Sequence, residues 1–136
     1  MKFLKIVLLL LLYIFTYSCD ISSFAEIINK SDKEITIEIL YDRAELEQVP
    51  GLKSIKPYFS NEAQLISFDS LTMIGKLKIE PKDSLCIASN RGSSPRFKFI
   101  KSLKIFASDT IVLTNRDEIS ELFKETSPRI FTWEVK

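Results

Sequence analysis

Alternation over 34–41, broken only by Leu40, constrains the fold of this chain more than any other feature. Ile35, Ile37, Ile39 and Tyr41 fall on one side of the alternation, and Thr36, Glu38 and Leu40 on the other. A period of two is the mark of a strand with one face against a core. Shorter runs of the same kind recur at 24–30, 63–68, 73–80, 84–88, 96–100, 103–106, 110–114 and 129–135, and the last carries the only tryptophan, Trp133. Turn-forming residues separate them. Ser31-Asp32-Lys33 predicts a hairpin between the first two strands, Pro81-Lys82-Asp83 a turn before 84–88, and 90–95, with Gly92 and Pro95, a surface loop. Two stretches break the pattern. Residues 42–60 read as a long excursion, with one or two helical turns in 43–48 ended by Pro50-Gly51, and with Pro57 barring a central strand. Residues 117–125 have the Ile119, Leu122, Phe123 spacing of a short amphipathic helix. Short strands with turns about every ten residues predict an all-β chain, an antiparallel immunoglobulin-like β-sandwich of about seven or eight strands with one or two short helices.

The N-terminus has a different logic. Lys2 and Lys5 precede an uninterrupted apolar run, 6–15, which leads through Thr16-Tyr17-Ser18 to Cys19. Crossing a bilayer takes about 20 apolar residues, roughly twice this run, so a cleaved signal peptide fits better than a membrane helix. The expected organisation is a signal peptide at 1–18, a tether at 19–23 and one domain at 24–136. Cleavage before Cys19 leaves 118 residues, enough for one core.

Composition then excludes several classes of function. The mature chain has 17 basic and 18 acidic side chains, a balance that points away from nucleic acid. No histidine is present, which removes Ser-His-Asp and Cys-His catalysis and the usual zinc sites. With Cys19 at the expected cut, the domain at 24–136 has no internal disulfide and one cysteine, Cys86. It stands between Leu85 and Ile87 in an apolar run and reads as a buried, inert thiol. No cofactor or metal is expected.

Residues 1–20 resemble a bacterial lipoprotein signal, with Thr16 and Tyr17 standing where a strict lipobox has Leu and a small residue. The resemblance implies diacylglycerol on the Cys19 sulfur and acyl chains that hold the domain on a membrane. The body resembles small β-sandwich lipoproteins of Gram-negative gut anaerobes through Asn29-Lys30-Ser31, the segment 79–84 and Ser108-Asp109-Thr110-Ile111. That resemblance implies shared architecture, a location at the cell envelope, most simply the outer membrane, and no activity.

Three triplets, Asp69-Ser70-Leu71, Asp83-Ser84-Leu85 and Asp109-Thr110-Ile111, resemble the O-glycosylation sequon of exported proteins in such bacteria and make Ser70, Ser84 and Thr110 candidate sugar acceptors. Turn chemistry, in which Asp and Ser bond the nearby backbone, accounts for the same triplets. The segment 91–104 interleaves Arg91, Arg96, Lys98, Lys101 and Lys104 with Phe97 and Phe99. Arg91, Arg96, Lys98 and Lys101 are the candidate binding residues for an acidic partner; the alternative is a charged sheet edge that blocks unwanted pairing. Asp117, Glu118, Glu121 and Glu125 read as a solvated helix face rather than as a hydrolase pair.

The expected role is a non-catalytic, lipid-anchored accessory or interaction module whose partner is a protein or a glycan. An immunity or inhibitor-type lipoprotein, which would use a protruding loop from 42–60, and an envelope enzyme using carboxylates are the alternatives.

Overall fold

A computed structural model describes residues 21–49 and 64–136. The export signal, Cys19 and the part of the expected excursion from residue 50 onward lie outside the described residues.

Among the described residues, nine strands and two short helices follow one another as β1 (Ser22–Asn29), β2 (Ile35–Tyr41), α1 (Arg43–Glu47), β3 (Leu65–Asp69), β4 (Ile74–Ile79), β5 (Ser84–Arg91), β6 (Ile100–Phe106), β7 (Thr110–Leu113), α2 (Arg116–Leu122), β8 (Lys124–Ser127) and β9 (Ile130–Val135). They form two sheets, a four-stranded one in the order β5-β1-β9-β8 and a five-stranded one in the order β3-β4-β2-β6-β7. The chain is all-β in architecture. Its core lies between the sheets: Ala25, Ile27, Leu85 and Val135 from the first meet Ile37, Ile39, Leu77, Ile79, Leu103 and Ile105 from the second. The alternation in 34–41 sets this up, since Ile35, Ile37, Ile39 and Tyr41 are all buried while Thr36, Glu38 and Leu40 are half-buried on the outer face.

Several expectations are corrected. β1 and β2 are not a hairpin, because β1 pairs with β5 and β9 while β2 pairs with β4 and β6. Residues 30–34 carry the chain from one sheet to the other, and 80–83 do the same between β4 and β5. The pairing is also not wholly antiparallel. β9 runs parallel to β1, from Phe24↔Ile130 to Asn29↔Val135. Residues 96–99 are not a strand, and β6 is flanked by β2 and β7 rather than lying at an edge. β1 begins at Ser22, inside the stretch expected as a tether, and Ser23 is fully buried.

Asn29 explains the crossing at 30–34. Its side chain is completely buried, and its Nδ2 donates to the carbonyls of Lys33 at 2.7 Å, Ile79 at 3.1 Å and Glu80 at 3.1 Å. Its Oδ1 accepts from the Ser31 amide at 3.0 Å and the Ser31 hydroxyl at 2.7 Å. One amide thus shapes the turn and fastens β1 to the end of β4 in the opposite sheet. The Asn29-Lys30-Ser31 motif has a structural purpose here.

Candidate functional site

Strand directions and short connections define two ends of the molecule. The upper end holds 30–34, 80–83 and 107–109; the lower end holds the start of β1, the 91–99 loop, both helices and the β8–β9 turn. All four candidate cations of 91–101 are at or near the lower end, but in two groups.

Lys98 and Lys101 join the first group, an ion-pair cluster around Arg116. Asp42 caps α1, accepting from the Glu45 amide at 3.4 Å, and thereby points a carboxylate across to the start of α2. Arg116 donates from Nη2 to Asp42 Oδ2 at 2.7 Å and from Nε to the Ile100 carbonyl at 3.3 Å. Its Nη1 is 3.9 Å from Glu45 Oε1, and the other oxygen of Glu45 is 3.1 Å from Lys98 Nζ. Beside this network is a shallow depression of about 400 Å³ lined by Asp42, Lys101, Thr114, Asn115, Arg116 and Asp117. Each acid of the network has a cation against it in a partly exposed setting, so the cluster fastens the two helices to β6. Substituting Arg116 with alanine is expected to cost about 1–2 kcal/mol, and a double-mutant cycle with Asp42→Ala to return a coupling near 1 kcal/mol in urea unfolding.

Arg91 and Arg96 form the second group. Arg91 ends the edge strand β5 opposite Ser22, and both arginines are exposed. The loop between them is braced by Asn90, whose Nδ2 donates to the Arg91 and Ser94 carbonyls at 3.1 Å and whose Oδ1 accepts from the Arg96 amide at 2.5 Å. Gly92, at φ 129°, takes a backbone form that side chains rarely adopt, and its amide donates to the Ile21 carbonyl at 2.8 Å. Phe97 is buried and Phe99 half-buried although neither is in a strand, and Phe97 packs 5.1 Å from Phe123, centroid to centroid. The alternation in 96–99 therefore marks a loop pinned by its rings.

The candidate sugar acceptors are spread out. Ser70 is exposed on the β3–β4 turn, Thr110 is exposed at the start of the edge strand β7, and Ser84 is half-buried at the start of β5. The turn chemistry is present at two triplets: Asp69 accepts from the Leu71 amide at 2.9 Å and the Thr72 hydroxyl at 2.7 Å, and Asp83 from the Ser84 amide at 2.8 Å. In the acidic stretch, Glu118 folds back to accept from the Thr114 amide at 2.7 Å while Asn115 caps α2; Glu125 is in β8, not in the helix. These hydrogen bonds hold Asp69 and Glu118 below the usual carboxylate range, chiefly through the Thr72 hydroxyl and the Thr114 amide respectively, and Lys82 does the same for Asp32. A carboxylate held low in the folded chain contributes in full above its unfolded value, 3.8 for Asp and 4.5 for Glu, and loses that contribution as pH falls through the folded value. Thermal melts are therefore expected to be flat from pH 7 to about 5 and to fall progressively below about pH 4.5. In Glu118→Gln the acid-limb slope should be shallower.

Cys86 is half-buried on the outer face of β5 opposite Glu26, and burial first, then the Glu26 charge, push its thiol up and away from reactivity. Among the described residues no group of three His, Cys, Asp or Glu side chains is placed to hold a metal, and no helix is long and apolar enough to cross a membrane. No family model, curated protein or solved structure matches this chain.

Proposed function

We propose that this chain is a lipid-anchored module of the cell envelope, an immunoglobulin-like β-sandwich that offers a surface to a protein or glycan partner and performs no catalysis. The observation that carries the reading is the apolar run at 6–15 ending in Ser18-Cys19, which is too short to span a bilayer and is followed by a cysteine suited to acylation. Two features of the fold support it. The first described strand, β1, begins at Ser22, so a lipid on Cys19 would hold the domain directly on the membrane. The division of nine strands into sheets of four and five matches the strand count of variable-type immunoglobulin domains. At the lower end, clustered charges are arranged as mutual pairs beside a shallow depression, which suits a charged contact surface. Location at the outer membrane and sugar on Ser70, Ser84 and Thr110 belong to the same proposal.

Fractionation of cells making the full-length protein tests the anchor. Wild type should stay with membranes through high salt and alkaline carbonate and enter the detergent phase. A Cys19→Ala protein that behaves identically would show that lipid on this cysteine is not what holds it.

A further inference from the structure

We infer that the lower edge of the four-stranded sheet is a second membrane contact, a surface that rests on anionic lipid headgroups. This rests on the anchored reading above. Three Cα-to-Cα steps separate Cys19 from Ser22, about 11 Å at full stretch, so an acylated Cys19 leaves this end no room to stand clear of the bilayer. The end that would be forced down has the matching chemistry. Phe24 and Ile130 are register partners on the outer face of β1 and β9, at 39% and 36% exposure, and Ile21, at 39%, directly precedes β1. Apolar side chains grouped on an outer face are suited to the headgroup boundary.

Cations flank this patch on both sides. Arg91 faces Ser22 across the β1–β5 pair, Arg96 follows on the Asn90-braced loop, and Arg129 occupies the β8–β9 turn at φ 65°, its carbonyl accepting from the Phe24 amide at 2.9 Å. The stretch 84–108 contains five cations and no acid. Of the two acids in the neighbouring hairpin, Glu125 is engaged by the Arg129 amide at 2.8 Å and Glu134 pairs with Lys30 at 3.3 Å. The loop is held to Ile21 by the Gly92 amide and the turn to Phe24, so arginines and apolar residues move as one surface. Basic residues near an anionic leaflet each strengthen attachment several-fold, and the effect fades within a Debye length, which places these arginines in range only because the tether is so short.

The test uses full-length protein purified from its native membrane and reconstituted into vesicles of phosphatidylcholine alone or with about 30% phosphatidylglycerol, with intact mass recorded on the same sample. Amide hydrogen exchange at 91–97 and 127–131 is expected to slow about fivefold on the anionic vesicles, while 80–83 and 107–109 at the upper end stay unchanged. The Arg96→Glu/Arg129→Glu protein should lose that slowing and keep its melting temperature. Equal exchange in both vesicles, with lipid present on Cys19 by mass, would overturn the contact and leave the anchor standing. Absence of lipid by mass would overturn the anchored reading and the contact with it. Protection that follows protein concentration instead of lipid charge would assign the patch to a second copy of the chain and overturn the lipid contact.

Discussion

Replacing Asn29 with leucine is expected to destabilise the domain by about 3–5 kcal/mol, although the two side chains are similar in size. Three carbonyls, those of Lys33, Ile79 and Glu80, would lose the donor that the fully buried Asn29 supplies, the Ile79 carbonyl in a buried position, and the Ser31 amide and hydroxyl would lose their acceptor. Each buried group left unsatisfied costs roughly 1–3 kcal/mol, with part of the sum recovered where Ser31 and Lys33, near the surface, meet water. Asn29→Asp keeps the acceptor but faces a carboxylate to the Ile79 and Glu80 carbonyls, so it should fare no better at neutral pH. Against a domain stability of about 5–15 kcal/mol, either change should lower the melting temperature by ten degrees or more. Ser31→Ala removes one hydroxyl at the rim and is the comparison: a loss of about 1 kcal/mol is expected. Equal melting of the Asn29→Leu and wild-type proteins in calorimetry would show that the sheets are not fastened at this point.

The second large effect is expected at Ile37. It is fully buried in the middle strand of the five-stranded sheet, register partner of Leu77 on β4 and Ile105 on β6, which are buried as well. Ile37→Ala removes three carbons from a site whose neighbours are held on both sides by strand pairing, so the cavity closes poorly and the cost should be about 3–5 kcal/mol. Ile37→Val should cost about 1 kcal/mol. Val112→Thr, on the outer face of the edge strand β7 at 53% exposure, should change stability by no more than about 0.5 kcal/mol. Chemical unfolding with an unchanged denaturant slope measures all three. An Ile37→Ala loss as small as that of Val112→Thr would contradict the placement of the core.

Both predictions concern residues whose signals differ in legibility. Ile37 could be read directly, because alternation over 34–41 is a local pattern and burial followed it position by position. Asn29 could not, since Asn-Lys-Ser before a polar run fits a hairpin turn as readily as a crossing between sheets, and only the carbonyls of β4, 50 positions away, decide between them. The parallel β1–β9 pair is hidden for the same reason. Strand direction is set by how the chain travels between sheets, not by anything within 130–135. β8 was missed because all four of its residues are exposed, which leaves no apolar alternation to read.

The candidate cations show the same division. Composition found 91–104, where cations and rings crowd together, but it grouped as one surface side chains that the fold separates: Lys98 and Lys101 beside the helices, Arg91 and Arg96 beside β1. Arg116, which organises the first group, lacked any local cue, since its partner Asp42 is 74 positions away and each looks like an ordinary residue at a helix start. The acids of 117–125 gave a helical spacing read as a solvated face; in the fold Glu118 folds back to the Thr114 amide at the start of α2, and Glu125 belongs to β8.

The most direct test of the account is the intact mass of the full-length product recovered from its native membrane, set against the Cys19→Ala protein. The predicted result is the mass of residues 19–136 plus diacylglycerol and acyl chains, lost in the variant, with any remaining excess removed by substituting Ser70, Ser84 and Thr110. An uncleaved, unmodified chain would contradict it: residues 1–18 would then be the membrane attachment themselves, and both the lipid anchor and the surface resting beside it would fall.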